Sequence, residues 1–325
     1  MKVLITGCVG FIGYNLTKLL LDQKIKVVGV DNFDTRTGKK LKKDRYKDLR
    51  NHKNIKFFKF YKIDISNKSQ VDSLFRKHKF KKIIHLAALA GVRNSFLIPE
   101  KYINVNIIGS FNIFENAKNY KDTHLIIAST SSVYGMKKTF PIKEHHNTDL
   151  PLSLYAATKK SMEVISHVYA HNFNLNVTVL RFFTVYGPFG RPDMALYKFA
   201  KCSYDNKPIP LFNKGRHTRD FTYVSDIAFA IKTLVVSNKK LKKFDVYNLS
   251  NGKAIPLKRY IKEIEKNLKT KLKRKLLSLQ RGDVHKTHGS NLKFKKHFSF
   301  KPKTNVNLGI KNFINWFKSY HKKNK

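Results

Sequence analysis

Two cysteines, four methionines and one tryptophan are few for 325 residues, and acidic side chains number only 21. Each scarcity excludes something. Cys8 and Cys202 cannot build a secreted disulfide framework or a four-thiolate zinc site, and they suit a reducing cytoplasm. No metal-ligand spacing stands out. No apolar run reaches the roughly 18 residues that a membrane-spanning helix needs, and the glycine-broken stretch behind Lys2 does not read as a signal peptide. The expectation is a cytoplasmic chain with no membrane partner. Hydrophobic residues make up 42% of the sequence, enough for a sizeable core, which rules out a disordered chain or a collagen-like fibre.

The abundant residue is lysine. It outnumbers arginine 54 to 12, and the formal net charge is +45. Such a balance suits either a nucleic-acid surface or lysine-rich solvated faces that also attract an anionic substrate. The clusters at 39–43, 239–243 and 269–275 are scattered, and neither a zinc-finger spacing nor an RNA-binding aromatic signature accompanies them. The second reading is therefore preferred, with no nucleic-acid partner. An RNA-binding or regulatory protein on a dinucleotide-binding scaffold stands as the alternative from another class.

Short apolar runs at 2–6, 26–31, 55–63, 82–86, 124–128 and 176–182 read as strands. Helical periodicity covers 11–21, 71–78, 98–118 and 155–172 between them. Strands alternating with helices predict a parallel sheet covered on both faces. Residues 35–53 are polar and lysine-rich and read as a long surface connection. After Phe183, prolines at 188, 192, 208 and 210 break the rhythm, with helices expected at 194–204, 224–236, 257–268 and 308–320. The expected fold is α/β: a doubly wound, Rossmann-like parallel sheet over 1–183, and a smaller mixed α/β substrate-binding lobe over 184–325. Residues 224–250 are expected to return in part to the first domain.

Gly7, Gly10 and Gly13, in the run GCVGFIG, lie between the first strand and the first helix. Glycines there let the backbone approach a pyrophosphate, which the helix N-terminus attracts. Asp31 closes the second strand 24 positions after Gly7, where a carboxylate accepts from ribose hydroxyls and repels a 2′-phosphate; NAD is expected over NADP. Asp64 suits either the adenine amino group or a helix cap. Tyr155 and Lys159 stand four apart on one helix face, where an ammonium helps a phenol act as a base near neutral pH. Thr130, in the run STSSVYG at 129–135, ends the fifth strand, and its hydroxyl can share a substrate oxygen.

These motifs resemble the extended short-chain dehydrogenase/reductase family, in its sugar-nucleotide epimerase branch. The resemblance runs from Gly7 to at least Asp226. It is carried by HLAALAGVR at 85–93, SLYAATKK at 153–160, LRFFTVYGPFGRPDMA at 180–195 and RHTRDFTYV at 216–224. The two middle stretches most resemble UDP-glucuronate 4-epimerases. The resemblance implies an NAD-dependent 4-epimerase that interconverts UDP-glucuronate and UDP-galacturonate through a 4-keto intermediate. A UDP-hexose 4-epimerase acting on neutral sugars is the alternative within the branch.

It implies catalytic roles for Thr130, Tyr155 and Lys159. Tyr155 removes the 4-hydroxyl proton while hydride leaves C4, and Lys159 binds the nicotinamide ribose. Cofactor contacts are implied for Gly7, Gly10, Phe11, Ile12, Gly13, Asp31, Asn32, Asp64, Ile65, Leu86, Ala87, Ala88 and Asn106, together with Tyr155 and Lys159. Substrate contacts are implied for Arg93, Thr130, Ser131, Ser132, Thr184, Arg191, Arg219 and Asp283, with Arg219 gripping the pyrophosphate. Arg281 stands where many relatives have proline. Related dehydratases and uronate decarboxylases place an acid beside the catalytic threonine, whereas this chain has serines. Neutral hydroxyls there can hold the carboxylate of a 4-keto uronate, a β-keto acid, out of alignment for loss of carbon dioxide. The resemblance also implies a homodimer built on helices 98–118 and 155–172.

Overall fold

The computed structural model describes residues 1–34, 38–120, 122–239 and 241–322. Twelve strands lie among them: β1 (Lys2–Thr6), β2 (Lys26–Asp31), β3 (Phe58–Lys62), β4 (Lys82–His85), β5 (His124–Thr130), β6 (Asn176–Phe182), β7 (Thr184–Tyr186), β8 (Ile209–Leu211), β9 (Thr218–Tyr223), β10 (Phe244–Leu249), β11 (Ala254–Pro256) and β12 (Arg274–Leu276). The helices are α1 (Phe11–Asp22), α2 (Lys39–Arg50), α3 (Lys68–Lys77), α4 (Val92–Leu97), α5 (Pro99–Tyr102), α6 (Gly109–Ala117), α7 (Leu154–Asn172), α8 (Ala195–Tyr204), α9 (Val224–Val236), α10 (Leu257–Leu268), α11 (Leu292–Phe298) and α12 (Val306–Lys322).

Seven strands form one parallel sheet in the order β10-β6-β5-β4-β1-β2-β3. The inner strands are buried along nearly their whole length, as expected where helices cover both faces. One face packs on α1, α9 and α11 through Leu16, Leu20, Ile231 and Phe294. The other packs on α3, α6 and α7 through Val71, Phe114 and Met162. Strand order reverses between β1 and β4, and a doubly wound sheet opens its ligand crevice at such a point, off the carboxyl ends of the strands. After β7 the chain builds a second core from α8, α10 and α12 against β9 and β11, with Phe221 and Tyr260 stacked at 3.9 Å. It returns to the first sheet as β10, paired with β6 from Phe244↔Val177 to Leu249↔Phe182.

Three expectations need correction. Residues 55–63 are not one strand: a 3-10 turn, Ile55–Phe57, precedes β3. Residues 98–118 are interrupted by a π-helical segment, Ile103–Ile108, between α5 and α6. Most of the connection expected at 35–53 is the helix α2; its residues 35–37 lie outside the described residues. Lysines on the solvent faces of α2 conceal a buried stripe at Leu41, Arg45 and Leu49, spaced four apart as a helix requires.

Arg45 on that stripe is 1% exposed. It donates Nη1 to the Val9 carbonyl at 3.1 Å and Nη2 to the Phe189 carbonyl at 2.6 Å. Phe189 sits at φ +57°, packed between Tyr14 and Trp316 at centroid distances of 5.0 and 4.9 Å. One side chain thus clamps the glycine-rich loop to the loop that carries Arg191. Replacing Arg45 with leucine is expected to lower stability by about 2 kcal/mol, because buried carbonyls lose their donor. Urea unfolding measures this, and an unchanged midpoint would show that the clamp contributes nothing.

Candidate active site

Gly7 directly follows β1 and sits at φ +71°. A Cβ there would lie 2.9 Å from the Ala87 nitrogen, and one on Gly13 would lie 2.1 Å from the Gly7 carbonyl oxygen. Only backbone can occupy this crossing of the first loop, the start of α1 and the segment after β4. Gly10 precedes α1, and no side chain caps that helix, so its first-turn N–H groups remain available to an anion. A dinucleotide pyrophosphate fits this cradle.

The rim of the cradle is carried by β2 and β3. Asp31, at the end of β2, accepts from the Phe33 N–H at 2.8 Å and from Lys42 Nζ at 3.0 Å. Asn32 donates to Asp64 at 2.9 Å. Burial pushes the Asp64 carboxyl up, but hydrogen bonds from Ser66 and Asn32 outweigh it and leave it below the usual range. The cap of α3 is Asn67, which accepts from the Gln70 N–H, so Asp64 is not a helix cap. Ile65 turns its side chain into the core against Gly109.

A buried polar chain fixes the segment after β4. Thr6 accepts from the Leu86 and Ala87 N–H groups, both at 3.1 Å, and bonds His85 Nδ1 at 2.8 Å. His85 Nε2 meets Ser110 at 2.9 Å. Asn106, fully buried in the π-helical segment, accepts from the Leu89 N–H at 2.8 Å and donates to the Leu89 carbonyl and to Thr158, both at 3.0 Å. Its amide is fully engaged by protein groups. Asn106 therefore positions the 86–91 segment against α7 instead of facing a ligand directly.

Tyr155 and Lys159 share one face of α7, whose N-cap is Ser153. The Tyr155 phenol lies close to the hydroxyl of Thr130, the last residue of β5. Burial raises its pKa, and Thr130 and the positive charge of Arg191 draw it back. Lys159 is buried, and its Nζ has a weak contact with Met162 Sδ at 3.8 Å. Burial lowers it to about 8, opposed by Glu163 one turn on. Thr130 also accepts from the Ser132 N–H at 3.2 Å, at the head of the turn that holds Ser131 and Ser132.

On the opposite side, Arg191 forms a forked pair with Asp193 (Nε–Oδ1 3.0 Å, Nη2–Oδ2 2.5 Å) and donates to the Ala90 carbonyl at 3.2 Å. Thr184 and Arg191 line a small cleft with Phe11, Tyr197 and Tyr260. Further out, Arg93 stacks over Phe212 at 4.3 Å and pairs with Asp283 at 3.4 Å. Arg219 donates to the Thr218 and His285 carbonyls, each at 3.1 Å, instead of to a carboxylate. Burial lowers it to about 10. His217 Nε2 and Gln280 Oε1 are buried without partners, and a polar ligand would satisfy them. Residues 280–283 form a β-turn closed by Asp283 N–H to the Gln280 carbonyl at 3.2 Å, with Gly282 at φ +75°. Arg281 occupies its second position, where proline is favoured, so the turn that presents Asp283 is preserved without it.

The GDP-mannose 4,6 dehydratase family model matches residues 4–313 of this chain. The chain belongs to that extended short-chain dehydrogenase/reductase family. A UDP-glucuronate 4-epimerase from Thermodesulfobacterium geofontis is 40% identical over 316 residues, covering 97% of this chain and 95% of the relative. The crystal structure of UDP-glucuronic acid 4-epimerase from Bacillus cereus in complex with UDP-glucuronic acid and NAD superposes with a TM-score of 0.92 at 32% identity, covering 98% of this chain and 100% of that one. The UDP-glucose 4-epimerase of Thermotoga maritima with UDP-glucose gives 0.88 at 26% identity, covering 99% and 100%.

Sequence reasoning missed the residues that hold this family's motif in place. Arg181 on β6 pairs with Glu163 in a buried fork (Nη2–Oε2 2.7 Å, Nε–Oε1 3.0 Å), and Ser129 donates to the same carboxylate. Asp220, beside Arg219, accepts from the N–H groups of Asn251, Gly252 and Gly289; burial lifts it to about 7. No local motif signals either device, because their partners lie far away in the chain.

The folded pKa of Lys159 lies below its ordinary value of 10.5. Its charged form therefore opposes folding, and its contribution to stability rises with pH between about 8 and 10.5. Lys159 loses its positive charge above about pH 8, the charge expected to support a Tyr155 phenolate. Turnover is expected to show an alkaline limb near there. Glu163→Gln should move that limb to lower pH, since the carboxylate holds Lys159 up. A pH–rate profile of both proteins, taken where each is folded, measures this; an unmoved limb would separate Glu163 from the lysine.

Proposed function

We propose that this chain is an NAD-dependent 4-epimerase that interconverts UDP-glucuronate and UDP-galacturonate through a 4-keto intermediate. The observation that carries the reading is the convergence of Thr130, Tyr155 and Lys159 off the end of β5, beside a glycine crossing that fits a pyrophosphate. NAD supplies, when bound, the reversible two-electron oxidation of C4. Tyr155 takes the proton of the sugar's 4-hydroxyl and later returns it. Thr130 donates to the phenolic oxygen, and Lys159 stabilises the phenolate and binds ribose hydroxyls. The names of the relatives support both cofactor and substrate.

Substrate choice rests on the turn after β5. Ser131 and Ser132 offer hydroxyls to a uronate carboxylate, with Arg191 adding charge. No acidic residue follows Thr130, and Glu163, the carboxylate that reaches β5, is held by Arg181. Dehydration therefore lacks its proton donor, in contrast to the reaction that gives the family model its name. Arg219 and Arg93 take the diphosphate, while Asp283, His217 and Gln280 face the hydroxyls and base of the nucleotide.

The expected state is a homodimer joined on the outer faces of α6, α7 and the π-helical segment, where Ile103, Phe111, Val164 and Val168 are all at least 40% exposed. Such a face is apolar enough to pair with its copy. Sedimentation at micromolar concentration should give the dimer mass, and a monomer alone would refute this assembly.

Tyr155→Phe is expected to lower kcat by about 10²–10⁴-fold with the fold intact. The wild-type enzyme should strongly prefer UDP-glucuronate to UDP-glucose, because a site built to hydrogen-bond a group discriminates against the analogue lacking it. Comparable kcat/KM values for the two sugars would instead favour the neutral-hexose epimerase.

A further inference from the structure

Helix α2, unforeseen in the sequence, brings a cation to the carboxylate at the end of β2. Asp31 is 5% exposed. Its Oδ1 receives the Phe33 N–H at 2.8 Å and Lys42 Nζ at 3.0 Å, and the lysine side chain is itself only 12% exposed. The contact is more than a loose surface pair, since both partners are largely withdrawn from water. Arg45, one turn further along α2, adds its field to the same carboxylate. Lys39, Lys40 and Lys43 lie exposed on the same helix. No other acid bonds Asp31 or Lys42 among the described residues.

An acid at this place ordinarily selects NAD in two ways: it accepts from the ribose hydroxyls, and its negative charge repels a 2′-phosphate. Here an ammonium within hydrogen-bond distance cancels much of that charge and can itself donate to a phosphate. We propose that Lys42 is a specificity-determining residue that weakens discrimination against NADP by holding Asp31 in an ion pair which a 2′-phosphate can enter. The proposal rests on the dinucleotide-binding function proposed above. Its signature is an opposition of sign. Removing Lys42 makes the site stricter for NAD, whereas removing the Asp31 charge makes it more permissive. A lysine that merely braced α2 would change the hold on both nucleotides alike.

The test is competitive. The purified enzyme is equilibrated with mixtures of NAD and NADP until occupancy is constant. Free nucleotide is removed, and the bound pair is quantified by chromatography after denaturation. Lys42→Met should lower the bound NADP-to-NAD ratio about tenfold, the size of one charge-assisted hydrogen bond. Lys42→Arg should leave the ratio close to wild type, and Asp31→Asn should raise it. A ratio unchanged in Lys42→Met, or raised by it, overturns the proposal. Should Lys42→Met fail to fold, Lys42→Gln carries the same expectation. A wild-type protein that retains neither nucleotide overturns this proposal and the functional reading together, whereas one that retains both with no effect of Lys42 overturns this proposal alone.

Discussion

The buried fork between Glu163 and Arg181 is the interaction on which the chemical end of the molecule depends. Glu163 comes from the helix that carries Tyr155 and Lys159, and Arg181 from β6. Ser129, next to Thr130, donates to the same carboxylate. The guanidinium continues to Tyr134 and to the Glu144 carbonyl, both at 3.0 Å, and Tyr134 reaches Asn248 on β10 at 2.7 Å. One ion pair thus registers β5, β6, the serine turn, the edge strand β10 and α7 against each other. Buried pairs give little net stability, but losing one partner costs about 3–5 kcal/mol, so the arrangement is effectively fixed. The Glu163 carboxylate also keeps Lys159 closer to its charged form than burial alone would allow.

The cofactor end is governed by close backbone approach. Gly7 and Gly13 stand where no Cβ fits, the first against the Ala87 backbone and the second against the Gly7 carbonyl. Thr6 and Asn106 hold the segment after β4 by its N–H and C=O groups. Arg45 joins this cradle to the Phe189 loop, two residues before Arg191. The glycine-rich loop and the Arg191 loop are therefore parts of one buried network, which places an arginine charge near the Tyr155 phenol.

The alternating elements and the glycine crossing were legible because each rests on short-range pattern, apolar runs and glycine spacing; Thr130, Tyr155 and Lys159 were singled out on the same kind of pattern, an i, i+4 pair beside a strand end. Helix α2 was not, because its lysines lower the mean hydropathy and only three buried positions reveal it. The π-helical segment was hidden for a different reason: one extra residue in a turn leaves no compositional mark, yet it coincides with Asn106, the residue that holds Leu89. Glu163, Arg181 and Asp220 were silent because a carboxylate in sequence carries no sign of the distant donors it will meet. Asp31 was singled out by position, but its partner Lys42 could be found only once α2 was known to form and to bring that lysine to the end of β2.

Inversion at C4 without net oxidation is the defining property of a 4-epimerase. The most direct measurement is proton NMR of UDP-glucuronate incubated with the purified enzyme and no added nucleotide. The account predicts UDP-galacturonate building up to a constant ratio with its epimer, sustained by NAD carried on the protein, with no UDP-pentose formed. A UDP-pentose product, or an unchanged UDP-glucuronate spectrum while UDP-glucose is epimerised, would contradict it.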